Sequence, residues 1–117
     1  MAKEQRGKQG KRKMFMSTAE LIEEMEAHLP IPTYACEELC QFLRDHGKDV
    51  TRGTELQITK VFDSGDEGGI MGAILHEGGE VYVVSLTHLM IKPGHPLHKK
   101  ILEYQRKRIR KLSRQII

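Results

Sequence analysis

Hydrophobic positions recur at helical spacing near both ends of this chain and at strand spacing in between. Leu21, Ile22, Met25 and Leu29 fall on one side of a 3.6-residue period, with Glu23, Glu24 and Glu26 outside it. Ser17-Thr18-Ala19-Glu20 just upstream is a capping box, in which the serine and glutamate side chains each take one unpaired amide of the first turn. Pro30 and Pro32 are expected to end this helix. Thr33 is placed to cap a second helix from Tyr34 to about His46. Its inward positions are Ala35, Leu39, Phe42 and Leu43, flanked by Cys36 and Cys40, and Gly47 suits the left-handed position after its end.

From Thr54 onward the period falls to two. Thr54–Phe62 places Leu56, Ile58 and Phe62 on one face, with Lys60 as the exception. Asp63-Ser64-Gly65-Asp66-Glu67-Gly68-Gly69 is a turn by composition. Ile70–His76 predicts a second strand, weakened by Gly72, and Gly78-Gly79 a two-residue hairpin turn. Val81–Ile91 predicts a third strand, apolar on both faces, and therefore central in the sheet or covered on both sides. Pro93-Gly94 breaks it, and Pro96 suits the first position of a last helix from Leu97 to about Arg114. The apolar positions of that helix are Leu97, Ile101, Leu102, Tyr104, Ile109, Leu112 and Ile116. The expected fold is α+β: two N-terminal helices, a three-stranded antiparallel meander and a long basic C-terminal helix. Residues 1–13 lack apolar periodicity and are expected to form a disordered basic arm, leaving 14–117 as a single α+β domain.

Composition narrows the class. At 117 residues and 38% hydrophobic content the chain supports one modest core. No run approaches the ~18 apolar residues of a membrane span, and no apolar run follows the basic N-terminus as in a secretory leader. Cys36 and Cys40, four residues apart on a helix, are too constrained for an ordinary disulfide. They read as free thiols, which points to a reducing, cytoplasmic setting.

The charge layout changes the picture more. The formal charge of +3 conceals about +5 in residues 1–13, +8 in 92–117 and −10 in 14–91. One explanation is that the basic ends fold back on the acidic middle. The other is that they meet a polyanion. The residues expected to contact phosphates are Lys11, Arg12 and Lys13 in the arm, and Lys99, Lys100, Arg106, Lys107, Arg108, Arg110, Lys111 and Arg114 in the last helix. Cations in a last turn are also favoured by the helix dipole, which accounts for Arg110, Lys111 and Arg114 better than for Arg106, Lys107 and Arg108. Ile109, Leu112 and Ile116 stand at coiled-coil-like spacing, so the same helix could pair with another chain.

Other chemistry is thinly represented. Cys36, Cys40, His88, His95 and His98 offer metal donors, but Cys-x3-Cys on a helix is not a zinc-knuckle turn and His95-x2-His98 spans a helix start. They read as two core thiols and surface imidazoles, with no metal or cofactor expected. His76, His88, Asp63, Asp66 and Glu67 are the available acid–base groups, and a small hydrolase using His88 near the acidic turn is a third, weaker option. No phosphate-binding glycine loop and no Gly-x-Ser-x-Gly elbow is present.

From the second helix on, the predicted order α-β-β-β-α resembles the double-stranded-RNA-binding domain, and His98-Lys99-Lys100 is similar to the basic helix start with which that family grips phosphates. The loop between its first two strands, which enters the minor groove, is acidic here through Asp63, Asp66 and Glu67. No site residues are carried over from the resemblance. The expected function is a small nucleic-acid-binding accessory domain, directed at RNA or a ribonucleoprotein, and not an enzyme. The alternative is a regulatory protein–protein module presenting its C-terminal helix to an acidic partner or to a second copy of itself.

Overall fold

The computed structural model describes residues 17–75 and 79–116, and the side chains of those up to Ser113. The basic arm expected at 1–13, and with it Lys11, Arg12 and Lys13, lies outside the described residues, as does most of the turn around Gly78. Among the described residues the chain is α+β, with four helices and one five-stranded antiparallel sheet. The elements are α1 (Thr18–Ala27), β1 (Ile31–Ala35), α2 (Glu37–Asp45), β2 (Leu56–Asp63), α3 (Gly65–Gly68), β3 (Ile70–Leu75), β4 (Val81–Ser85), β5 (Leu89–Ile91) and α4 (His98–Ile116). A single 3-10 turn, Leu86–His88, separates β4 from β5. The spatial order is β4-β3-β2-β1-β5. No helix is long and apolar enough to cross a membrane among the described residues.

The capping box forms as expected: Ser17 Oγ accepts from Glu20 N at 3.1 Å, and Glu20 Oε1 accepts from Ser17 N at 3.0 Å. Leu21 and Met25 then bury against the sheet. Beyond α1 the chain departs from the prediction. The two N-terminal helices are not consecutive, because Ile31–Ala35 is a strand. Ile31, Thr33 and Ala35 point inward while Pro32 and Tyr34 are half-exposed, a strand alternation that the two prolines conceal. The strand has registered partners on both sides only at Thr33, since β2 meets Ile31–Thr33 and the three-residue β5 meets Thr33–Ala35. The second helix therefore starts at Glu37, with Cys36 rather than Thr33 at its N-cap. Phe42, expected in the buried stripe of that helix, is 45% exposed and lies beside His46 and Tyr82.

β2 explains its own exception. Its register with β3 shifts between Ile58 and Lys60. An extra residue in one strand sends every later side chain to the opposite face. Leu56 and Ile58 are buried as predicted, but beyond the bulge Val61 takes the inward position and Phe62 turns outward.

The predicted third strand is the largest departure. Val81–Ile91 is not one central strand but two short ones at opposite edges of the sheet. Ser85 Oγ accepts from Thr87 N and caps the 3-10 turn that divides them. Before the turn Val81 and Val83 face outward, and after it Leu89 and Ile91 face the core, so the apolar residues on both faces serve two different places. With α3 between β2 and β3 and β5 separated from β4, the α-β-β-β-α order from the second helix on, on which the resemblance rested, is replaced by α-β-α-β-β-β-α.

α4 crosses this sheet from β5 to the β2–β3 corner. Leu97 and Ile101 enter the core. One turn later the anchors become polar: Tyr104 Oη accepts from Ile70 N at 2.8 Å, and Arg108 donates to Glu67 O at 2.6 Å. Gly69 allows this approach. Its φ of 65° and ψ of −150° belong almost solely to glycine, and a Cβ there would stand 2.5 Å from Tyr104 Oη and 2.9 Å from Arg108 Nε.

Two substitutions test the corner. Gly69→Ala is expected to destabilise by about 2 kcal/mol or more, since it adds backbone strain of about 1–3 kcal/mol and must displace both side chains. Tyr104→Phe leaves the amide of buried Ile70 without its acceptor and should cost about 1–3 kcal/mol. Urea unfolding monitored by circular dichroism measures both; unchanged midpoints would show that the corner does not hold α4.

Candidate functional site

α4 is amphipathic in an unusual sense: both of its sides carry cations. At 100° per residue, Leu97, Ile101, Tyr104, Gln105 and Arg108 fall on one face. Lys99, Arg106 and Arg110 lie opposite, with Lys100, Lys107 and Lys111 along one flank and Leu102 and Ile109 along the other. The structure exposes all six of these Lys and Arg residues, and Glu103 is the one carboxylate of the helix.

Arg108 is the exception among the expected phosphate contacts. It is only 8% exposed, and its guanidinium is spent on the carbonyl of Glu67. The reason is positional: Arg108 is four residues beyond Tyr104 and seven beyond Ile101, on the docked face. Arg114 lies within the last turns of α4.

Folding back on the acidic middle accounts for part of the C-terminal charge. Lys92 pairs with Glu55 at 3.0 Å, and this hydrogen bond holds the Glu55 carboxyl below its ordinary range. Lys100 pairs with Glu24 at 2.9 Å, and Lys111 stands 3.9 Å from the almost fully exposed Asp66. No such pair engages Lys99, Arg106 or Arg110 among the described residues.

A second grouping arises where β1 runs into α2. Cys36, the N-cap of α2, and His88, the last residue of the 3-10 turn, are joined through the backbone by Cys36 N donating to His88 O at 2.9 Å. Their side chains meet as well, with Sγ 3.6 Å from His88 Nδ1. The Glu38 carboxylate approaches the same sulfur at 3.8 Å. The three donor atoms lie within 4.8 Å of one another, with Cys36 and His88 half-buried and Glu38 exposed. The 3-10 turn is held from behind by the Gln105 amide, which donates to Leu86 O at 2.8 Å and Leu89 O at 2.6 Å.

The five metal donors considered from sequence thus separate. Cys40 is a fully buried core thiol whose S–H points to Ala35 O. Cys36 is not in the core. His95 accepts from Leu97 N through Nδ1 before α4, and burial, with the neighbouring His28 second, holds its pKa below the usual imidazole range. His98 lines a shallow cleft with Met90, Ile101 and Gln105 between β5 and α4. Sequence reasoning missed Glu38; the available signal was Cys-x-Glu at a helix start, and it becomes legible only once β1 is recognised as a strand ending at Ala35.

No family model, curated protein or solved structure matches the chain.

The contrast between the thiols is directly measurable. The thiolate is the nucleophile in alkylation. Burial pushes the Cys40 thiol above its ordinary pKa and shields it, while Cys36 is half-exposed. In the native protein near neutral pH, iodoacetamide is expected to modify Cys36 at least about tenfold faster than Cys40. Both should react once the chain is denatured. Peptide mass spectrometry over a time course reads the ratio, and equal native rates would contradict the placement.

Proposed function

We propose that this protein is an accessory factor that binds nucleic acid, RNA in the first instance, along the outer face of α4. One observation carries the reading. The helix buries Ile101 and Arg108 and turns Lys99, Arg106, Lys107, Arg110 and Lys111 outward. From Lys99 to Lys111 this stripe covers about 18 Å at 1.5 Å per residue. That length matches roughly five phosphate steps of about 3.4 Å along one strand. Dipole preference for cations at a helix end does not account for it, because Lys99 stands in the first turn and Arg106 near the middle. The contacts described are with phosphates, which supply affinity and no sequence preference.

A second reading rests on Ile109, which is 51% exposed on the flank of α4 away from Lys100, Lys107 and Lys111. An exposed aliphatic residue there favours a contact with another helix, from a partner or a second copy. Salt separates the two readings, because phosphate contacts release counterions and apolar contacts do not.

The expected result concerns Arg106, Lys107, Arg110 and Lys111 changed together to Gln, leaving Arg108 in place. Glutamine keeps helix propensity and none of the four is buried, so the fold should persist. Affinity for labelled RNA and DNA oligomers, followed by fluorescence anisotropy across a salt series, should fall steeply. The log–log salt slope should shrink by about 0.7–0.9 for each lost phosphate contact. Absence of binding by the unmodified protein at low salt, or an unchanged slope in the variant, would overturn the proposal in favour of the helix contact through Ile109.

A further inference from the structure

We infer that Cys36, Glu38 and His88 form a binding site for a divalent ion of the zinc class, open to one exogenous ligand. The inference is independent of nucleic-acid binding by α4.

The first support is the donor set. Thiolate, imidazole and carboxylate are the three protein ligand types of zinc, with Zn–S near 2.3 Å, Zn–N near 2.0–2.1 Å and Zn–O near 2.0–2.2 Å. At a tetrahedral angle these bond lengths put S and N about 3.6 Å apart and S and O about 3.5–3.7 Å apart. The observed separations are 3.6 Å for Cys36 Sγ to His88 Nδ1 and 3.8 Å for Cys36 Sγ to Glu38 Oε1. Two edges of a coordination tetrahedron are thus nearly in place, and closing the third needs only a small movement of the exposed Glu38 side chain.

The second support is how the donors are held. Cys36 and His88 stand 52 residues apart in sequence, on opposite sides of the β1–β5 pairing. The Cys36 N to His88 O hydrogen bond fixes the two main chains at the level of the donor atoms. Gln105 fixes the turn that carries His88 by taking the carbonyls on either side of it. A site whose donors are braced by backbone pairing and a neighbouring amide loses little freedom on taking up a metal.

The third support is the proton count. In the metal-free protein, S–H can donate to Glu38 and Nδ1–H to the sulfur, so two protons hold three electron-pair donors together. A divalent cation replaces both. The thiol proton leaves to solvent, and the single proton of the neutral imidazole moves from Nδ1 to Nε2, freeing Nδ1 to bind the ion. Thiolate and carboxylate then balance the charge of the ion. With three protein ligands at a half-exposed edge, the fourth position falls to water, the arrangement of reactive zinc centres and not of closed structural ones.

Cobalt(II) tests this as the spectroscopic substitute, on the full chain purified and treated with chelator. One equivalent should bind with a thiolate-to-cobalt charge-transfer band in the near ultraviolet and visible bands of tetrahedral intensity, and zinc should displace it. Cys36→Ser should abolish the charge-transfer band, and His88→Gln should weaken cobalt binding at least about tenfold. Glu38→Gln, at an exposed side chain with no role in the core, should weaken binding at least about tenfold without altering the far-ultraviolet circular dichroism. Cys40→Ala, folded by the same criterion, should keep the band. The inference fails if no saturable thiolate band appears at about tenfold excess of cobalt, if the band survives Cys36→Ser, or if Cys40→Ala removes it. Should Cys36→Ser not fold, Glu38→Gln decides: an unchanged cobalt affinity there overturns the three-ligand site.

Discussion

The structure depends on three polar side chains within five residues of α4. Tyr104, Gln105 and Arg108 bond to backbone groups of the sheet and its turns: the amide of Ile70, the carbonyls of Leu86 and Leu89, and the carbonyl of Glu67. For buried Ile70, an unpaired amide would cost about 1–3 kcal/mol. Apolar packing of Leu97 and Ile101 alone would permit α4 to roll; directional bonds to four fixed backbone atoms do not. The rotation of the helix about its axis is thereby settled, and with it the identity of the cations that face water. Arg108 belongs to the scaffold and its neighbours Arg106, Lys107 and Arg110 to the surface, although nothing in their chemistry distinguishes Arg108 from Arg106 or Arg110.

The same interaction reaches the thiol–imidazole–carboxylate cluster. Gln105 holds the turn carrying His88, and β1 delivers Cys36 to the opposite side of it. The basic face and the cluster therefore share one brace while using different residues. The acidic middle contributes separately. Lys92–Glu55 and Lys100–Glu24 attach both ends of the segment between β5 and α4 to the domain, although exposed pairs of this kind add little stability.

Local chemistry was legible in the sequence where a single side chain decides it. The capping box at Ser17, the left-handed Gly47, the buried Leu39 and Leu43 and the docked first half of α4 all derive from spacing and from backbone preference. The misreadings share a cause. β1 carries Pro32 and follows Pro30, β2 carries a bulge, and Val81–Ile91 carries a one-turn break; each interrupts a period-two pattern that is otherwise present. A bulge or break can be recognised only against the strand across from it, which a linear pattern does not contain. The candidate cluster was obscure for the same reason. Cys36 looked like the flank of a helix until β1 ended that helix early, and His88 looked like mid-strand until the 3-10 turn lifted it out.

The separation of β4 from β5 also governs when the sheet can be finished. β2, β3 and β4 pair with near neighbours in the chain, while β1 obtains its second partner only through contacts such as Tyr34 with Met90. Closing a loop of that length costs chain entropy before any contact rewards it, which places such pairings late in folding. On a ribosome, β1 would leave the exit channel long before β5 has been made. Through that interval one edge of Thr33–Ala35 lacks its partner strand, and the growing chain carries an open strand edge of the kind that recruits other chains. The order in which amides of β1 gain protection from hydrogen exchange during refolding reports this sequence of events directly.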